Sequence, residues 1–197
     1  MSNKKKSKPI PTTQNMQGDS PWPKRWAMIA GVAVVLGLIA VVVFSQPEKS
    51  GVPEGTETQA VGERAHVDGE LHEDGDVPAG GAHNEVWQNC GFYGEEIESE
   101  HAVHSLEHGA VWISYDPSLP SAQVNVLRGF VSPNEKVLVS PIPGQPALVT
   151  VTAWGQQLEL ESADDARLGQ FVNEFSGASS APEPGGRCTG GIGHPQF

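Results

Sequence analysis

The sequence predicts a small α+β domain with a mixed, largely antiparallel sheet and two to three packed helices, preceded by one transmembrane helix. Three observations carry this. Apolar runs of strand length alternate with stretches of helical spacing, so neither pure class fits. A hairpin pattern, Ala147–Trp154 with Gln157–Glu161 around Gly155-Gln156, demands antiparallel pairing. Trp26 to Phe44 runs 19 residues without a charge, long enough for a helix to cross a hydrocarbon core of about 30 Å.

The elements follow in order. Residues 1–25 form a basic, polar tail, and residues 45–65 a linker rich in Gly, Pro, Glu and Thr. The folded domain is expected over residues 66–188. Val67 to Gly94 is punctuated by Gly69, Gly75, Pro78, Gly80, Gly81 and Gly91 and reads as irregular chain. Ser99 is placed to cap a short helix over 100–108, with Gly109 as its stop. Ala110–Tyr115 is a strand ended by Asp116-Pro117. Pro120 or Ser121 opens a helix through Phe130, with Val124, Leu127 and Phe130 at helical spacing. Lys136–Ser140 is a buried strand. Asp164 or Asp165 caps a last helix to about Phe175, with Leu168, Phe171, Val172 and Phe175 on one face. Residues 189–197 are expected as a flexible tail.

Charge sets topology and excludes some functions. Residues 1–26 carry six basic side chains and one acid; the remainder carries six basic side chains and 23 acids. These give about +5 and −17, and together the net −12 of the chain. The positive-inside bias places the tail in the cytoplasm and residues 45–197 outside, a single-pass protein of the cell membrane. A cleaved signal peptide fits less well, because the run is too long and no small-x-small site follows Phe44. An acidic outer domain argues against nucleic acid as a partner, which needs a basic surface. The membrane enters through the chain's own helix, and a protein partner is the other expected class.

All seven histidines lie on the outer side of the span. His104 and His108 stand four apart, which on a helix places both rings on one face. Two imidazoles so placed can hold a transition-metal ion. His83, in a Gly-rich loop, and His66 are the expected further ligands, with Glu107 as a ligand or an orienting acid. Imidazole sites of this kind suit a copper or zinc ion. His72, His101 and His194 are weaker candidates. Trp87, Trp112 and Trp154 read as core. The only cysteines, Cys90 and Cys188, are expected to pair as a disulfide outside the cytoplasm, with Cys90 as a thiolate ligand the alternative.

Three functions follow from these residues. The first is a membrane-anchored domain that binds a metal ion without turnover. The second is an interaction or assembly module for a membrane complex, its histidines structural. The third is a zinc hydrolase, since His104-Ser105-Leu106-Glu107-His108 matches H-x-x-E-H. The helix is barely two turns long, the domain is small for a substrate groove, and no downstream acid stands out as a third ligand. No catalytic residue is assigned.

Trp87-Gln88-Asn89-Cys90-Gly91-Phe92-Tyr93 and Ala102 to Ile113 (AVHSLEHGAVWI) closely resemble the signature of the bacterial family called domain of unknown function 3105. Tyr115 to Pro120, Ser140 to Gly144, Ala153-Trp154-Gly155 and Pro182 to Gly185 resemble it too, from about His66 to Cys188. The resemblance implies a single-pass, outward-facing domain with no assigned reaction. It also implies histidines at 66, 83, 104 and 108 but not usually at 101. Residues 71–83 depart from the family pattern in lacking paired prolines, which leaves the place of the His83 loop open.

Overall fold

A computed structural model describes residues 51–133 and 135–197. The expected tail and membrane helix at 26–44 lie outside the described residues. Among those described, no helix is long and apolar enough to cross a membrane.

Six strands form one sheet in the order β1-β6-β5-β3-β4-β2. They are β1 (Glu57–Thr58), β2 (Gly91–Phe92), β3 (Val111–Tyr115), β4 (Val137–Pro141), β5 (Val149–Ala153) and β6 (Gln156–Leu160). The helices among the described residues are α1 (Ser99–Glu107), α2 (Ser121–Arg128) and α3 (Ala166–Phe175). The pairings β1·β6, β6·β5 and β5·β3 are antiparallel, whereas β3·β4 and β4·β2 are parallel. The fold is thus α+β with a mixed sheet, antiparallel on the β1 side only. Parallel neighbours need a crossover, and α2 supplies the one between β3 and β4. The hairpin turn falls at Trp154-Gly155, one residue earlier than expected, with Gly155 at φ 71°.

Side chains on a strand alternate between faces, and this divides the core in two. Val111, Ile113, Val139, Val151 and Leu158 meet Leu127 of α2 and Leu168, Phe171, Val172 and Phe175 of α3. Asp165 caps α3, its carboxylate accepting from the Arg167 backbone N–H at 2.9 Å. On the other face, Trp112 and Leu138 pack beneath Ala102 and Leu106 of α1, with Tyr93 and Ile142 beside them. Trp112 Nε1 donates to Ser140 Oγ at 2.9 Å, which satisfies its only polar group.

Helix α1 decides where the site lies. Every residue from Glu100 to Glu107 is buried, though its sequence is only half apolar. Ala102 and Leu106 take the sheet side. The opposite side, with His101, His104, Ser105 and Glu107, is covered by irregular chain, so its polar groups must find partners inside. Glu98 occupies the N-cap position without a side-chain cap bond, in place of the expected Ser99.

The covering chain includes both segments expected to be loose. In the linker region, Glu57 and Thr58 pair with β6, and Gln59 N–H donates to Gly155 O at 3.0 Å. In the tail region, Asn89 N–H donates to Ile192 O (2.9 Å), Ile192 N–H to Trp87 O (3.0 Å) and Gln196 N–H to Phe92 O (2.8 Å). Backbone pairing, which composition does not encode, draws these segments in. Cys90 and Cys188 form a disulfide, with Cα atoms 5.3 Å apart; the thiolate alternative for Cys90 falls away.

Candidate metal centre

Three pieces of backbone bring the histidines together. The last turn of α1 and its C-cap carry His104, Glu107 and His108, and Gly109 at φ 86° then turns the chain into β3. The second piece is a parallel bridge between His66 and His83: Val67 N–H donates to His83 O (2.8 Å), and His83 N–H to Ala65 O (2.9 Å). This sets the departing loop beside α1 and fixes the place of His83, which the sequence left open. The third is the strap 183–188, anchored by Glu183 N–H on Glu107 O at 2.9 Å and by the disulfide.

Three rings are locked in the same way. Nδ1 of His83 lies 2.7 Å from Gly81 O, Nδ1 of His104 2.7 Å from Asn84 O, and Nδ1 of His108 2.7 Å from Arg187 O. A carbonyl oxygen only accepts, so the partner assigns the hydrogen to Nδ1 in each ring. In the neutral ring Nε2 then keeps its lone pair. Metal-ligating histidines are oriented by this kind of outer bond.

The Nε2 atoms converge. His83 Nε2 stands 3.1 Å from Glu107 Oε2, and His104 Nε2 3.1 Å from His108 Nε2. His66 Nε2 lies 4.0 Å from Glu107 Oε2. One donor atom from each of His66, His83, His104 and Glu107 fits within a mutual 4.8 Å. Two ligands about 2.0–2.1 Å from one tetrahedral ion stand about 3.3 Å apart, so the 3.1 Å contact of His83 with Glu107 suits a shared cation, and the wider pairs of the set would draw in on one. The rings of His66, His83 and His104 are mutually 5.0 Å apart between centroids. His108 adjoins His104 but stands outside that four-member set.

The surroundings are dry on one side and open on the other. His83 is wholly buried, with Trp154 edge-on at 5.9 Å. Trp87 lies 5.8 Å from the His104 ring and 5.2 Å from that of His108. The tryptophans at 87 and 154, expected only as core, therefore wall the histidines. Burial pushes the His104 pKa down, and the neighbouring imidazoles of His108, His83 and His66 push it the same way against the Asn84 bond. The neutral ring of His104 is therefore favoured over its protonated form relative to an ordinary histidine. A pocket of about 220 Å³, lined by Arg64, His66, His83, Glu107 and Glu183, opens the cluster to solvent.

Two participants escaped the sequence reading. Arg64 Nη1 donates to Glu107 Oε1 at 3.0 Å, from within the expected linker. Glu183 Oε2 lies 3.7 Å from His108 Nε2; its Pro-Glu-Pro-Gly setting carried only the family resemblance. His101 stands apart, bound to Val86 O and 3.1 Å from Glu98. His72 lies by the acidic loop with Glu70 and Glu73, and His194 is exposed. In the H-x-x-E-H pattern the glutamate must reach a metal-bound water. Here one Glu107 oxygen is held by Arg64 at 3.0 Å and the other stands 3.1 Å from His83 Nε2.

Fold and site together define a small α+β domain with a histidine–carboxylate cluster, buried except at His66, at the C-terminal end of α1. The family model described as "Protein of unknown function (DUF3105)" matches residues 66–190, and the chain belongs to that family. Comparison with curated proteins and with solved structures found no match.

Proposed function

We propose that this protein binds a divalent transition-metal ion through His66, His83, His104 and Glu107, holding it rather than turning over a substrate. The observation that carries the reading is the contact of His83 Nε2 with Glu107 Oε2 at 3.1 Å. With Nδ1 committed to Gly81 O, neutral His83 has no hydrogen to offer there. In that neutral form the two acceptors repel, and a metal cation between them relieves the repulsion. The set of three imidazoles and one carboxylate, without sulfur, suits zinc(II) or copper(II).

Placement outside the cytoplasm, anchored by the uncharged run at 26–44, belongs to the same proposal. The Cys90–Cys188 disulfide supports it, since such bonds persist in oxidising compartments.

Metal analysis of the purified chain tests the reading. Wild type is expected to retain at least one equivalent of zinc or copper after dialysis. His83→Ala and Glu107→Gln are expected to lose it while keeping the far-ultraviolet circular dichroism of the folded domain. Substoichiometric metal in wild type and variants alike would overturn the reading.

A further inference from the structure

The four-donor set leaves a second acceptor contact unexplained. His108 is buried, and its Nδ1 is committed to the Arg187 carbonyl at 2.7 Å. Its Nε2 lone pair therefore faces His104 Nε2 at 3.1 Å and Glu183 Oε2 at 3.7 Å. In the neutral rings and the ionised carboxylate, none of these three atoms can donate a hydrogen bond. The Trp87 ring, 5.2 Å away, closes one side. Two donors each about 2.0–2.1 Å from one ion stand at most about 4.1 Å apart, and both separations fall inside that limit.

We infer that a second divalent metal ion binds between His108 and Glu183, with His104 Nε2 serving the second ion in place of the first when both are present. The inference rests on the metal-binding reading of the adjoining set. The ligands then divide into His66, His83 and Glu107 on one ion and His104, His108 and Glu183 on the other, one carboxylate to each. Paired ions that share such a cluster stand about 3.5–4 Å apart.

The strap is built to hold this second position. Glu183 is fixed by its own N–H on the Glu107 carbonyl at 2.9 Å. Lys136 Nζ, its pKa pushed down by burial, donates to His108 O (2.6 Å), Gly186 O (2.8 Å) and Pro184 O (3.0 Å). The C-terminal end of α1 and the strap are thus joined through one ammonium group. The Glu183 side chain remains 56% exposed, so the second ion enters from solvent.

Titration of the metal-free chain with Cu²⁺, followed by calorimetry and electron paramagnetic resonance, tests the inference. Wild type is expected to take two equivalents in two steps. The second is expected to quench the resonance of the first by spin coupling rather than add to it. Glu183→Gln and His108→Gln are each expected to weaken the second step at least tenfold while the first step persists. Glu183 is exposed, so its variant tests the idea even if the His108 variant folds poorly. One equivalent in wild type, or a second step unchanged in Glu183→Gln, overturns the second ion and leaves the first reading standing. No uptake by wild type overturns both.

Discussion

Gly185 and Gly186 are chemically identical neighbours, yet adding a methyl group to each has opposite consequences. A Cβ at Gly185 meets nothing within 4 Å. A Cβ at Gly186 would lie 2.3 Å from His108 Cγ and Cδ2 and 2.8 Å from its Cβ. Ordinary contact begins near 3.4 Å, so strap and ring must part by about 1 Å. The next carbonyl along, Arg187 O, holds His108 Nδ1 at 2.7 Å. Adding that displacement takes the bond beyond hydrogen-bonding range. Overpacking costs about 1–3 kcal/mol, and the lost bond adds about 1 kcal/mol. Gly186→Ala should therefore destabilise the metal-free chain by about 2–4 kcal/mol, read as a lower urea midpoint at unchanged m-value. Gly185→Ala should stay within about 0.5 kcal/mol of wild type. Equal midpoints for the two variants would refute the claim that the strap is seated on His108.

Bound metal should raise thermal stability by mass action: for the first ion at one hundred times its Kd the gain is about 2.7 kcal/mol, and at one equivalent of metal a thermal melt of His83→Ala should fall short of wild type by about that amount. Asp165→Ala should cost about 1 kcal/mol by removing the cap of α3. Hydrogen bonds from the Arg167 side chain and then its backbone N–H hold the Asp165 carboxyl below its ordinary 3.8. Its charge therefore stabilises the fold fully above about pH 4, and the contribution is lost as pH falls through the lower folded value. The difference in urea midpoint between wild type and Asp165→Asn should shrink below pH 4; a constant difference would count against the ion pair. Cys188→Ser should cost about 4–5 kcal/mol by chain entropy alone. It should also raise amide exchange at Ile192 and Gln196, whose hydrogen bonds tie the C-terminal residues to the domain; unchanged exchange would show that backbone pairing suffices.

Local patterns announced the elements that have a local cause. Leu168, Phe171, Val172 and Phe175 repeat with helical spacing behind an aspartate cap, and α3 forms there. Val137, Leu138 and Val139 read as a buried strand, and β4 is buried on both faces. The parallel half of the sheet was not legible, because period-2 alternation is the same whichever way a neighbour runs. Arg64 and Glu183 were missed for a related reason. Each reaches the cluster through backbone pairing or a strap anchored far away in sequence, and no spacing rule links either to α1.

The sequence by itself determined the stock of imidazoles and carboxylates, the i,i+4 placing of His104 and His108, and the acidic balance of residues 27–197. Only the tertiary structure decided which nitrogen of each ring is free. That choice depends on carbonyls at Gly81, Asn84 and Arg187, and a carbonyl belongs to every residue alike, so nothing in the side-chain order marks it. The chemistry of the cluster was written in residue types, and its geometry in the backbone that closed around them.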